Sequence, residues 1–211
     1  MLALVLFLVA VGWAAVISAG WVYARRTHRP ELARLLAIGL VGGGTLYLGV
    51  LLATSFTSRA VVLARGERQC LCGFYLDCHI GYAVRDVRVA PRGSDSLYYV
   101  DLEVMSDARR STLMPGPVEI ALVDARTGRQ WRRDPGIETT ATGQPWRDRP
   151  FDEPLPAGGA YRRTLAFLVP SDVAEPRLVV REAFWVDRLI ESLLIGDDDS
   201  LFHRRTTIAL I

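Results

Sequence analysis

The chain has 211 residues, a formal net charge of +2 and a mean hydropathy of +0.20, which is the size of one ordinary domain with additions. So small a net charge argues against a nucleic-acid partner. All 25 basic residues are arginine and neither lysine nor asparagine occurs, a bias that fits a GC-rich genome and leaves no acceptor for N-glycosylation.

Residues 2–24 form an uncharged, predominantly apolar run of 23 residues, and residues 35–56 form a second of 22. Each meets the roughly 20-residue length needed to cross a hydrocarbon core of about 30 Å. A cleaved signal peptide would carry a basic leader and a shorter apolar stretch; this one opens Met-Leu-Ala-Leu, so a retained span is expected. Trp21 and Tyr23 sit where an aromatic belt meets the headgroups, whereas Trp13 is mid-span.

Arg25, Arg26, Arg29 and Arg34 crowd the connection between the two runs. Cytoplasmic loops carry such an excess of arginine. The expected topology is therefore a hairpin over residues 1–57 with both termini outside, although Arg59, Arg65 and Arg68 follow the second run. Gly39 and Gly43 form a small-xxx-small pair, followed by Gly44 and Gly49, and the first run offers Ala10/Ala14 and Ala15/Ala19. Small residues allow close helix approach in lipid, and hairpin packing is the expected use. Neither run holds Asp, Glu, His, Lys or Arg, so an anchor is expected rather than an ion or proton path.

After a linker over residues 58–69, the hydrophobic period becomes two, and a domain is expected over residues 70–211. Residues 82–90 alternate imperfectly, with Val87 and Val89 on one face. Residues 97–105 alternate cleanly, with Tyr98, Val100, Leu102 and Val104 against Asp101 and Glu103. Residues 118–124 form a third strand, and the Arg-Thr-Gly-Arg turn at 126–129 leads to a short one around Trp131. Residues 134–156 lack a period and read as a long loop. Strands follow at 161–169, closed by Pro170, at 177–183 and at 202–210, with a short helix over 186–194. About seven strands in 150 residues predict an antiparallel β-sandwich.

Three stretches resemble the immunoglobulin-like extracytoplasmic domains of unknown function found on bacterial lipoproteins and membrane proteins. They are LYYVDLEV at 97–104, PLPAGGAYRRTLAFLVP at 154–170 and LIGDDDSLFHRRTT at 194–207. The likeness covers roughly residues 68–211. It implies an immunoglobulin-like sandwich in which Cys70 or Cys72 pairs with Cys78, and it implies no activity. The third cysteine departs from the pattern.

All three cysteines, Cys70, Cys72 and Cys78, fall in QCLCGFYLDCHIGYAV at 69–84, beside His79. Haem attachment needs Cys-x-x-Cys-His, and here the upstream cysteines are too far from Cys78-His79. A zinc site prefers paired Cys-x2-Cys clusters, whereas Cys70 and Cys72 are one residue apart. The alternative of an envelope metal-binding or redox protein centred on Cys70, Cys72, Cys78 and His79 is therefore the weaker one. A disulfide through Cys78 is expected outside the cytoplasm, with Cys70 and Cys72 both open as its partner, and closing so short a loop would contribute roughly 2–3 kcal/mol in the chain-entropy model.

Asp197, Asp198, Asp199 and Ser200 invite a calcium reading, but three consecutive carboxylates cannot all turn inward as a calcium loop requires, so a solvated turn is expected. His203 has no catalytic companions in the sequence and reads as a polar strand residue. Of the aromatics Trp131, Trp146, Phe151 and Trp185, Trp146 and Phe151 in the long loop are the candidate interaction surface; plugging one end of the sandwich is the plainer use. The expectation is a two-span, membrane-anchored, non-catalytic binding module without cofactor. Its partners would be the lipid bilayer and another envelope or membrane protein.

Overall fold

The computed structural model describes residues 2–71, 80–137, 154–196 and 200–211. The chain divides into two compact units, Met1–Arg59 with Leu189–Arg205, and Ala60–Arg188 with Thr206–Ile211.

The first unit is built on α1 (Leu2–Arg26) and α2 (Pro30–Thr57). Both helices run past the apolar stretches that predict them, because arginine, glutamate and threonine continue a helical backbone once it is nucleated. The three residues between them form a tight reversal. Thr27 N–H donates to the Tyr23 carbonyl (2.9 Å) and Arg29 N–H to that of Ala24 (2.9 Å), while His28 adopts φ 51°. Pro30 opens α2, where its missing N–H costs nothing.

The helices pack through a different pair from the one the sequence suggests. A Cβ at Gly43 would collide with the Trp13 ring, whereas Gly39, Gly44 and Gly49 face open space. The small-xxx-small pair is thus split, with one glycine receiving an indole and the other facing outward. This also explains the tryptophan in the middle of the first apolar run, since only glycine leaves room for its ring at that approach.

The second unit is a β-sandwich of two sheets. One has the order β2-β3-β4-β7, made of β2 (Gln69–Leu71), β3 (Ile80–Arg92), β4 (Asp95–Ser106) and β7 (Ala160–Pro170). The other has the order β1-β9-β8-β5-β6, made of β1 (Val62–Leu63), β9 (Thr207–Ala209), β8 (Pro176–Glu182), β5 (Val118–Asp124) and β6 (Gln130–Arg132). Tyr98, Val100, Leu102 and Val104 of β4 are buried against Leu165, Phe167 and Val169 of β7, Ile120 and Leu122 of β5, and Leu178 and Val180 of β8. Side chains of this size each stabilise the fold by about 1.5–3 kcal/mol when fully buried.

The imperfect alternation of β3 has a local cause. A β-bulge lies between Val84 and Asp86, so Tyr82 and Val84 point inward before it and Val87 packs on the core after it. One extra residue reverses the parity of the strand. β3 and β4 join through Gly93 and Ser94, with Gly93 at φ 64°, the positive φ that a two-residue hairpin needs.

Three expectations are corrected. Residues 58–69 are not a plain linker, because Val62–Leu63 pairs with β9 and Gln69–Leu71 pairs with β3. The sandwich is not wholly antiparallel, since β1 runs parallel to β9. The final strand is Thr207–Ala209 rather than residues 202–210, because Phe202 takes φ 64°, which no strand accommodates. Between β8 and β9 comes α3 (Trp185–Leu193), one residue ahead of the expected helix.

Candidate functional site

Cys72, Cys78, His79, Trp146, Phe151 and Asp197–Asp199 lie outside the described residues. Of the cysteine group, Cys70 is placed. It sits in the middle of β2, opposite Gly81 of β3, and it is not a free thiol. Its neighbour Gln69 is buried, and the Gln69 amide donates to the Val180 carbonyl of the opposite sheet at 3.0 Å. β2 therefore holds both sheets, by a ladder on one side and a side-chain hydrogen bond on the other. Among the described residues no three His, Cys, Asp or Glu side chains converge as a metal site.

Ser200 is buried, and its hydroxyl donates to the Leu194 carbonyl. His203 is half-buried ahead of β9, its N–H donating to the Ser200 carbonyl at 2.9 Å. It belongs to a turn rather than to the strand expected for it. Trp131 is half-buried on β6 against the core, with the Arg129 guanidinium 5.1 Å from its ring centroid. Trp185 is exposed at the start of α3.

A feature that single-strand reading misses is the ionic network on the outer face of the four-stranded sheet. β4 alternates, so Tyr99, Asp101 and Glu103 turn away from the core that Val100 and Leu102 enter. The register brings Ala83 and Arg162 level with Glu103, Asp86 and Thr164 level with Asp101, and Arg88 level with Tyr99. Glu103 accepts hydrogen bonds from the Arg85 guanidinium (2.7 Å from Nε) and from Arg162 Nε (3.2 Å). Asp101 accepts from the Thr164 hydroxyl at 2.5 Å. Asp86 and Asp101 face each other across the strands, and Arg88 reaches both, at 3.9 Å and 3.8 Å. Its guanidinium also lies 5.8 Å from the Tyr99 ring centroid.

The electrostatics follow. Burial raises the Glu103 carboxyl's pKa, but the hydrogen bonds and charges of Arg85 and Arg162 outweigh that and hold it below the ordinary glutamate value. A carboxylate so committed is a poor general base at neutral pH. The face has three arginines, Arg85, Arg88 and Arg162, against three carboxylates, Asp86, Asp101 and Glu103. Its charged side chains are held in place by one another across three strands. Only the alternation along β4 hinted at this face; the partners come from β3 and β7, which the sequence cannot pair.

A second carboxylate closes the β5–β6 turn. Asp124 is buried and accepts hydrogen bonds from the Thr127 hydroxyl (2.7 Å) and from the Glu175 and Arg126 N–H groups (3.2 and 3.3 Å). The Thr127 hydroxyl, with those N–H groups, lowers its pKa against the opposing effect of burial. Its role is to fix the turn.

No family model matches the chain, and no curated protein matches it. Among solved structures it is similar to a conserved hypothetical protein from Bacillus anthracis, at 11% identity over 56% of this chain and 93% of that one, with a TM-score of 0.38. It is also similar to an uncharacterized β-sandwich protein from Clostridium difficile 630, at 5% identity over 73% of this chain and 96% of that one, with a TM-score of 0.40.

Proposed function

We propose that the chain is a two-span membrane protein that carries an immunoglobulin-like β-sandwich on the extracytoplasmic side and engages a partner there without catalysing a reaction. The observation that carries this reading is the arrangement of four arginines, Arg25, Arg26, Arg29 and Arg34, around the turn between two helices of span length. The helices have windows of mean hydropathy 2.3 and 2.1, of which 6% is buried. Their outward apolar side chains, Val9, Val16, Val41 and Leu46 among them, suit a lipid surround far better than water. With the basic turn on the cytoplasmic side, everything after α2 emerges on the other.

The binding role is supported by the outer sheet face, where paired charges and Tyr99 offer a pre-ordered polar surface. The arginines and carboxylates there are paired with one another, which suits recognition better than proton transfer. We further propose that Cys70 and Cys78 are joined, a staple compatible with an oxidising compartment.

A C-terminal tag on the full chain in intact cells tests the topology. Added protease is expected to remove the tag and digest the sandwich without membrane lysis; protection would place the domain inside and defeat the reading. Co-purification from membranes, with R85E and Y99A as controls, tests the sheet face. A partner retained equally by both variants would mean that the face is not used.

A further inference from the structure

The turn between α1 and α2 does more than reverse the chain. It lies beside a cavity of about 670 Å³ whose lining includes Trp21 and Arg25 of α1, His28 and Arg29 of the turn, and Ala33 and Arg34 of α2. Ala24 and Ala33 are buried where the helices meet, and their small size allows the arginine-bearing turns to approach closely. Arg25 lies with its guanidinium 4.8 Å from the Trp21 ring centroid. Stacking of this kind leaves the edge of the guanidinium, where the N–H donors are, available to a ligand.

Among the described residues, Arg25, Arg29 and Arg34 have no carboxylate at ion-pair distance. Arg85, Arg162 and Arg181 on the sandwich each hold one. The acid nearest in sequence, Glu31, is in the first turn of α2 and does not line the cavity. The Tyr23, Ala24 and Arg25 carbonyls at the end of α1 already receive the Thr27, Arg29 and His28 N–H groups. The start of α2, a helix of 28 residues, adds the positive end of its dipole.

We propose that this cleft binds a phosphate monoanion, and that its source is the headgroup of an anionic phospholipid. Three guanidiniums with free donors match phosphate oxygens in charge and in fork geometry. Their place, at the ends of two apolar helices and beside an amphipathic tryptophan, is the depth at which a phosphodiester lies in a bilayer. Basic pockets between helices on the cytoplasmic side recognise headgroups in this way. The assignment to a lipid rests on the two-span reading; the assignment to phosphate does not.

The test is native mass spectrometry of the full chain in detergent, offered phosphatidylglycerol and phosphatidylcholine together, and then inorganic phosphate alone. The wild type is expected to retain phosphatidylglycerol preferentially. R29Q/R34Q should lose roughly thirtyfold of that preference, at about one juxtamembrane charge's worth of attraction per arginine. R29K/R34K, which keeps the charge without the fork, should fall between them. Tight retention of inorganic phosphate with no lipid preference would overturn the lipid source and keep the phosphate chemistry. Equal retention of both lipids, or a preference unchanged in R29Q/R34Q, would overturn the site if phosphate is not held either. Alkaline carbonate extraction of the full chain from membranes separates the two readings. A chain released by carbonate that still prefers phosphatidylglycerol would remove the spans and leave the cleft, and an integral chain without preference would do the reverse.

Discussion

Phe56, at the end of α2, and Phe202 stack face to face, with ring centroids 5.5 Å apart and planes inclined by 11°. Two hydrogen bonds run along the same stretch. The Tyr47 hydroxyl donates to the Leu193 carbonyl at 2.7 Å, and the Arg204 N–H donates to the Ser58 hydroxyl at 2.9 Å. The described residues between Leu189 and Arg205, which lie in sequence between two sandwich strands, therefore fold with the helical hairpin. Phe202 holds φ 64°, a conformation that costs a residue with a side chain roughly 1–2 kcal/mol.

Removing the ring while keeping the strain should release this segment. Phe202→Ala is expected to raise amide exchange across residues 200–206 in the full chain, while exchange in β4 and β7 stays unchanged. Phe202→Gly loses the ring but also the strain, so its exchange should be lower than that of the alanine variant, by an amount near the 1 kcal/mol that glycine recovers at such a position. Equal exchange in both variants and the wild type would mean that the stack holds nothing.

The Trp13–Gly43 contact makes a contrasting pair of predictions within the hairpin. Gly43→Ala forces the indole to move, because the added methyl would overlap the ring; overpacking of this sort costs about 1–3 kcal/mol. Gly39→Ala and Gly44→Ala meet open space and should be neutral or slightly stabilising, since alanine is the better helix former. Thermal unfolding of the full chain in detergent checks the order. Rescue of Gly43→Ala by Trp13→Phe would identify the ring as the obstacle.

What the sequence discloses depends on how far each feature reaches along the chain. The alternation of Tyr98, Val100, Leu102 and Val104 discloses β4 because twelve residues repeat the pattern. β1 is too short to have a period at all, two residues being fixed by their partners on β9. Residues 202–210 read as a strand because apolar and polar residues mix there, yet the Phe56 ring and the Ser58 hydroxyl hold its first part elsewhere. The outer sheet face is a product of register, which brings Arg85, Glu103 and Arg162 together from three strands. The basic turn was visible as charge, but the cavity beside it required the approach of Ala24 and Ala33.

Acid should weaken the sandwich partly through Glu103. Its folded pKa lies below the ordinary value of 4.5, so its stabilising contribution is complete above that value and is lost as pH falls through the folded one. Glu103→Gln should lower stability at pH 7, by about 1 kcal/mol as for partly exposed charge pairs, and flatten the loss of stability in acid. Urea unfolding of the full chain in detergent, followed by tryptophan fluorescence from pH 7 to pH 3, reads both effects. A variant with the same acid slope as the wild type would show that the Arg85–Glu103–Arg162 group does not couple to folding.

The cysteines give the most direct chemical test. With Cys70 joined to Cys78, the intact full chain should gain the mass of two hydrogens on reduction, and denaturing alkylation without reductant should label one thiol, at Cys72. Cys72→Ser should then leave no labelled thiol, and Cys78→Ser should leave two. Loss of the bond should cost roughly 2–3 kcal/mol, the chain-entropy value for so short a loop, and should be felt at β2, where Gln69 joins the two sheets. Labelling at Cys70 in the wild type would replace this pairing by Cys72–Cys78. Stoichiometric zinc or copper, lost in Cys78→Ser, would replace the staple altogether by the metal centre that Cys70, Cys72, Cys78 and His79 could form.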